Sequence, residues 1–309
     1  TLRLYAEPIF KIAGVNPSAT KLFIVQDSAL NAYVAGGANM FIYTGLIMAT
    51  PTPDVLLGVI AHETGHIAGG HLAQGAEKMK NAQLGTVLTF VLGAAAAAVS
   101  KKPEAAAAVI SGGQSSVMRN VLSYTRANEQ AADQSALTSL DKLGISAAGM
   151  LKMFETLRIN ERKQFGSPDP YMITHPLTKE RMEFVRNHVS NSKIPEKQYP
   201  KSYDILHARM VAKLYGFLQT PERSLQKYPT SDKSVPARMA RAIAYYKMPD
   251  MENSLKEINS LLSESPNDPF FHELKGQILF ENGRVGEALG SYQAAVKLLP
   301  NSALILADL

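Results

Sequence analysis

His62-Glu63-Thr64-Gly65-His66 is the stretch of this sequence best equipped for chemistry: two imidazoles four residues apart, with a carboxylate beside the first. On a helix, positions i and i+4 lie about 40° apart around the axis, so both rings can converge on one Zn²⁺ ion from one face. Glu63, one position on, sits beside the ion and not on it. A Zn²⁺ ion lowers the pKa of a coordinated water towards about 7, and Glu63 is placed to take that proton and pass it to a leaving amine. The pattern predicts metal-assisted hydrolysis with one Zn²⁺ per chain, and it requires a third ligand.

Two sources compete for that ligand. A continuation of the motif to HExxHxxGxxH would supply a third histidine. Gly69 fits it, but the required position holds Leu72, and His71 falls one residue short. The alternative is Asn128-Glu129-Gln130-Ala131-Ala132-Asp133, in which Glu129 and Asp133 are spaced i, i+4. One of them can ligate while the other accepts the free N–H of a ligating histidine and fixes its tautomer. His71, His188, His207 and His272 receive no role.

The elements that must hold these groups are legible in outline. Thr52 before Pro53, with Asp54 next, reads as an N-cap, a proline at the first helical position and an acid in the first turn, so a helix starts there and carries the two histidines. Before it, Leu22-Phe23-Ile24-Val25 and Asn39-Met40-Phe41-Ile42-Tyr43, with turn residues at Gln26-Asp27-Ser28 and Gly36-Gly37, predict short strands of a small antiparallel sheet. The strand Phe41-Ile42-Tyr43 either lies at the edge, where it could bind an extended peptide by strand addition, or inside the sheet. Helices alone are expected from about 80 to 160. Asn81–Ser100 and Ala105–Met118 are uncharged and flank Lys101-Lys102-Pro103-Glu104, a helical hairpin that either packs on protein, touches a bilayer surface or inserts.

The chain of 309 residues is long enough for two domains. It has no cysteine, which excludes a disulfide framework, a thiolate zinc finger, an iron–sulfur cluster and a cysteine nucleophile; any metal must rest on His and carboxylate. A net charge of +5 is mild and diffuse, without a basic run interleaved by aromatics, so no nucleic-acid partner is expected. The polar, proline-bearing stretch 191–202 reads as a linker. Beyond it a period of 34 brings Ala208, Ala242 and Gly276 into register, then Val211, Tyr245 and Leu279, with Ile258 matching Tyr292, Leu261 matching Ala295 and Pro266 matching Pro300. This resembles the tetratricopeptide pattern, whose stacked helix pairs hold peptides or partner proteins. Thr1 opens the chain with no visible signal peptide, and 301–309 reads as the start of a further helix, so both ends are expected to be trimmed.

Asn31-Ala32, Gly36-Gly37, Thr44-Gly45-Leu46, the motif at 62–66, Tyr124-Thr125-Arg126-Ala127-Asn128-Glu129-Gln130-Ala131-Ala132-Asp133 and Thr174-His175-Pro176 with Arg181 together resemble the gluzincin family of HtpX and the CaaX prenyl endopeptidase. More narrowly, a protease domain followed by tetratricopeptide repeats is similar to its periplasmic, β-barrel assembly-enhancing branch. Thr125 stands where that family usually has Ser. The resemblance implies His62, His66 and Glu129 as zinc ligands, Glu63 as general base and Asp133 as the partner of a ligating histidine. It makes His175 either an oxyanion stabiliser or an extra zinc ligand that holds the enzyme latent.

The expected protein is mainly α: an α+β zincin-like metalloprotease domain at 1–190, a linker at 191–202 and an all-α tetratricopeptide domain at 203–309. The implied function is a zinc metalloendopeptidase of the periplasm or outer-membrane surface. It would cleave misfolded or misassembled envelope proteins, with the repeats docking substrate or the outer-membrane assembly machinery and residues 81–118 touching the membrane surface. The competing expectation is a chaperone or adaptor for outer-membrane protein assembly with a latent zinc site.

Overall fold

The computed structural model describes residues 1–100, 103–163, 171 and 175–308; Lys101, Lys102, Thr174 and the side chain of Tyr124, all singled out above, lie outside them. The chain divides into two compact units, Thr1–Pro200 and Lys201–Leu309.

The first unit opens with α1 (Leu2–Ile12), which buries Tyr5, Ile9 and Phe10. Three short strands follow: β1 (Lys21–Val25), β2 (Ala32–Ala35) and β3 (Asn39–Tyr43). They lie in the order β1-β3-β2. β2 pairs antiparallel with β3, as the Gly36-Gly37 turn predicts, but β1 pairs parallel with β3, Lys21 opposite Asn39 and Val25 opposite Tyr43. The sheet is therefore mixed and not antiparallel, and Phe41-Ile42-Tyr43 is its central strand and not an edge.

The reason lies at the end of β3. The segment leaving β1 crosses there: Thr44 Oγ1 donates to Asp27 O at 2.9 Å and Gly45 N to the same oxygen at 2.8 Å. A Cβ at Gly45 would stand 2.1 Å from Ser28 O, so only glycine lets the crossing pass. The crossing delivers β2 to the far side of β3. Alternation then buries Ala32, Val34, Met40 and Ile42 on one face. Phe23, Phe41 and Tyr33 stack across the three strands on the other, with centroids 4.9 and 5.0 Å apart.

After α2 (Thr44–Ala49) comes α3 (Pro53–Ala68), with Thr52 at the N-cap and Pro53 in the first turn, although the Thr52 hydroxyl makes no capping bond. Every residue from Pro53 to His66 is buried, which marks a helix surrounded by protein. Leu56, Leu57 and Ile60 each add about 1.5–3 kcal/mol through burial. The helix packs against α1, β2, α5 (Pro103–Lys142) and α6 (Ala148–Lys163). Between α3 and α5 runs α4 (His71–Ser100), paired along α5 as a hairpin. It leaves Leu84, Val87, Leu88, Phe90, Val91 and Leu92 exposed. Among the described residues no helix is long and apolar enough to cross a membrane. Helix α7 (Lys179–Asn191) closes the unit, followed by irregular chain in which Gln198 O accepts from Ser146 N at 3.1 Å.

Among the described residues the regular elements of the second unit are all helices: α8 (Ser202–Leu218), α9 (Pro221–Lys227), α10 (Val235–Lys247), α11 (Met251–Glu264), α12 (Pro269–Glu281), α13 (Val285–Leu298) and α14 (Ala303–Asp308). Helices α10 and α11, then α12 and α13, form consecutive pairs joined by short turns. Of the in-register positions, Val211, Ala242, Ile258, Leu261, Leu279, Tyr292 and Ala295 are buried, Ala208 and Tyr245 are half-buried and Pro266 and Pro300 are exposed; the space a Cβ would take at Gly276 is filled by the Tyr292 ring.

Candidate metal centre and active site

Helical spacing brings His62 and His66 onto one face of α3, their Nε2 atoms 3.1 Å apart. The carboxylates arrive from α5. A Cβ on Gly65 would stand 2.7 Å from Ala132 O and 2.8 Å from Ala132 Cα, so glycine at this variable position of the motif lets the two helices approach closely. Glu129 and Asp133, either side of Ala132, thereby reach the imidazoles. Glu129 Oε2 lies 3.3 Å from His62 Nε2, and Glu129 Oε1 lies 3.3 Å from His66 Nε2. Asp133 Oδ1 faces His62 Nδ1 at 2.9 Å. Sequence spacing left open which acid meets which group; the structure puts Glu129 at the converging Nε2 atoms and Asp133 behind His62.

His175 completes the group. Its Nδ1 lies 3.4 Å from His62 Nε2 and 3.3 Å from Glu129 Oε1, and its Nε2 lies 3.4 Å from Glu63 Oε1. The ring stacks on Tyr171 at 4.6 Å, and its backbone N–H donates to Tyr171 O at 2.7 Å. His62, His66, Glu129 and His175 thus offer donor atoms all within 4.8 Å of one another, each residue buried. Zinc bonds of about 2.0–2.1 Å to nitrogen imply tetrahedral edges of about 3.3 Å, and the separations above run from 3.1 to 3.4 Å. The donor set, nitrogen and carboxylate oxygen without thiolate, fits such an ion.

Glu63 is fully buried, and among the described residues neither carboxylate oxygen has a hydrogen-bond partner. Burial pushes its pKa up, against the pull of His175 and His62. Burial also opposes charge on His62, but the bonds to Asp133 and Glu129 outweigh it and raise its pKa to about 9. For His66 burial prevails and lowers it to about 4. Glu129 is held well below the carboxylate range: burial works the other way, but His175, His62 and His66 overcome it.

Two residues without a predicted role join the centre. Arg181, from α7 and 1% exposed, grips Asp133 with Nε at 2.6 Å and Nη2 at 2.8 Å, reaches Glu129 Oε2 with Nη1 at 2.8 Å and donates to Pro176 O at 2.9 Å. It balances two buried acids and ties the His175-Pro176 turn to them. Two acids expected at one buried site signal the need for such a cation, although nothing in the spacing picks Arg181. His71 brings its Nδ1 to 3.0 Å from His66 Nδ1.

The match to known proteins agrees with this geometry. The profile of peptidase family M48 matches residues 5–189, more than half of the chain and all of the residues just described. The chain belongs to peptidase family M48. Similar proteins include the β-barrel assembly-enhancing proteases of Yersinia pestis, 26% identical over 92% of this chain and 59% of that protein, and of Escherichia coli K12, 24% identical over 92% and 58%. The E. coli metalloprotease YcaL is 26% identical over 61% of this chain and 72% of its own length. The chain spans little more than half the length of the assembly-enhancing proteases it matches. M48 is a family of metallopeptidases, and among the described residues the group His62, His66, Glu129 and His175 could hold a metal ion.

Proposed function

We propose that this M48 chain is a zinc endopeptidase of the periplasm that cleaves misfolded or misassembled outer-membrane proteins. The observation that carries the reading is the buried carboxylate of Glu63, without a hydrogen-bond donor among the described residues, beside a convergent set of nitrogen and oxygen donors. A purely structural site has no use for that base. His62, His66 and Glu129 would hold the ion, which when bound polarises the scissile carbonyl and acidifies the attacking water. Asp133 accepts from the Nδ1–H of His62, which keeps the proton there and leaves the Nε2 lone pair free for the metal. Glu63 would accept a proton from the water and deliver it to the departing nitrogen.

Family membership supports the reaction, and the names of the assembly-enhancing relatives support the substrate class and compartment. The helix pairs of the second unit and their 34-residue register support a tetratricopeptide array for docking substrate or assembly partners. The exposed α4 stripe, in a segment with no charged residue from Asn81 to Ser100, supports contact with a membrane surface, which vesicle flotation tests.

A second reading, an assembly chaperone with a latent zinc site, is favoured by one observation: His175 Nδ1 lies 3.4 Å from His62 Nε2 and 3.3 Å from Glu129 Oε1, close enough to serve as a fourth donor where catalytic sites keep a position open. The deciding experiment measures zinc and cleavage of an unfolded envelope protein in Glu63→Gln and His175→Ala. Endopeptidase function requires that Glu63→Gln keep about one zinc per chain and lose cleavage by about 100-fold or more. Cutting at the wild-type rate would end the enzyme reading. Faster cleavage by His175→Ala would make the closed set a resting state, and slower cleavage with zinc retained would assign His175 to the oxyanion.

A further inference from the structure

We infer that His71 is a positioning residue of the metal centre, the acceptor that fixes the tautomer of His66; this rests on the reading that His62, His66 and Glu129 hold the ion. A neutral imidazole that binds metal through Nε2 carries its proton on Nδ1, and in a buried site that N–H needs an acceptor. For His62 the acceptor is Asp133. For His66, 7% exposed, no carboxylate among the described residues stands at Nδ1; what stands there is Nδ1 of His71, at 3.0 Å, with the rings near perpendicular at 81°. Two imidazole Nδ1 atoms at that distance share one proton. If His66 carries it, His71 accepts with its lone pair and keeps its own proton on Nε2.

The chain is shaped around this contact. Gly70, at φ +62°, reverses direction between α3 and α4, and returns His71, the first residue of α4, to the last turn of α3. A Cβ at Gly69 would stand 2.3 Å from His71 Nε2 and 2.8 Å from Cδ2 and Cε1, so the imidazole occupies the volume that any other side chain at 69 would need. Two successive glycines therefore serve one ring: one turns the chain and the other makes room. A histidine that merely started α4 would require neither the seat nor the alignment on His66. The two metal histidines then have unlike supports, an aspartate behind His62 and a neutral imidazole behind His66. The His66 support is set by the first residue of the hairpin.

The test is zinc affinity by chelator competition, with the visible spectrum of the Co²⁺-substituted protein as a second readout, in the whole chain. His71→Ala should bind zinc about 10–100-fold more weakly, the range for lost outer partners of metal ligands, and should shift the Co²⁺ bands. His71→Asn, whose side-chain oxygen falls near the position of Nδ1, should restore both. Gly69→Ala should reproduce the alanine loss with His71 still present, because the added methyl evicts the ring. Wild-type affinity and spectrum in both His71→Ala and Gly69→Ala overturn the inference, as does failure of His71→Asn to improve on His71→Ala. Glu129→Ala separates the two levels: zinc lost there but kept in the His71 and Gly69 variants sinks only this inference, whereas no zinc in the wild type sinks the reading beneath it.

Discussion

Replacing Gly65 with alanine tests how the centre is built. The new methyl would sit 2.7 Å from Ala132 O and 2.8 Å from Ala132 Cα, whereas ordinary contact begins near 3.4 Å. Backbone cannot swing aside like the end of a side chain, so α3 and α5 must part locally by about 0.6 Å, a strain of about 1–3 kcal/mol. Glu129 lies one turn from Ala132 and moves with it, opening its 3.3 Å separations from His62 and His66 towards about 4 Å, longer than a zinc tetrahedron allows. The metal-free chain can relax by letting the helices part; the loaded chain must close them again. The strain therefore falls mainly on binding, a loss of about 5- to 150-fold in zinc affinity. Gly58→Ala is the control. It sits one turn before His62, but its Cβ would meet Met150 at 2.9 Å, on α6, which carries no ligand, so it should lower the melting temperature with little change in zinc affinity. Chelator competition and thermal melting of both variants, with and without zinc, give the answer. Equal effects of the two substitutions on zinc affinity, or none from Gly65→Ala, would refute the argument that this helix contact sets the ligand geometry.

Arg181→Leu strands the buried carboxylates of Asp133 and Glu129 and should cost about 3–5 kcal/mol. In a unit of this size that lowers the melting temperature by about 6–20 °C, and an unchanged melt would contradict the clamp. Asp133→Asn should weaken zinc binding about 10–100-fold while Glu129→Ala abolishes it; similar losses in the two, measured by metal content after dialysis, would break the assignment of their roles. His62 predicts a pH dependence. Its pKa in the metal-free fold is raised to about 9 from 6.5, so its proton stabilises that fold fully below pH 6.5, and the contribution is lost as pH climbs through 9. Zinc needs the neutral ring. Binding near pH 7 should release about one proton from His62, and apparent affinity should climb roughly tenfold per pH unit towards 9. Calorimetry in two buffers of different ionisation heat reads the proton count, and zero release would refute it.

The parts of the site that sequence reveals are those governed by local geometry. His62 and His66, like Glu129 and Asp133, are i, i+4 pairs, and metal chemistry fixes what such pairs can do, so residue type and spacing suffice to propose them. Contacts made across the fold are different. Nothing local to Lys21–Val25 says that β1 lies parallel to β3; that depends on the crossing at Asp27, Thr44 and Gly45, where the deciding quantity is the space beside one glycine. Arg181 lies 48 residues from Asp133 and resembles any arginine near a helix start. The register of His71 fails for direct ligation, and its place behind His66 depends on the turn at Gly69 and Gly70, which spacing alone does not show. Gly65 was an unassigned letter of the motif until the position of Ala132 gave it a reason.

The burial of α3 on all sides has a consequence in time. A helix with no solvent face from Pro53 to His66 has no partial opening that frees a histidine while leaving the rest intact. Its amides should exchange with solvent only at the rate of global unfolding, the slowest in the unit. A metal held there would leave on the same clock unless another element moves first. Of the four side chains grouped there, His175 is the one that neither α3 nor α5 carries, so its withdrawal would uncover the other three while the two helices stay packed.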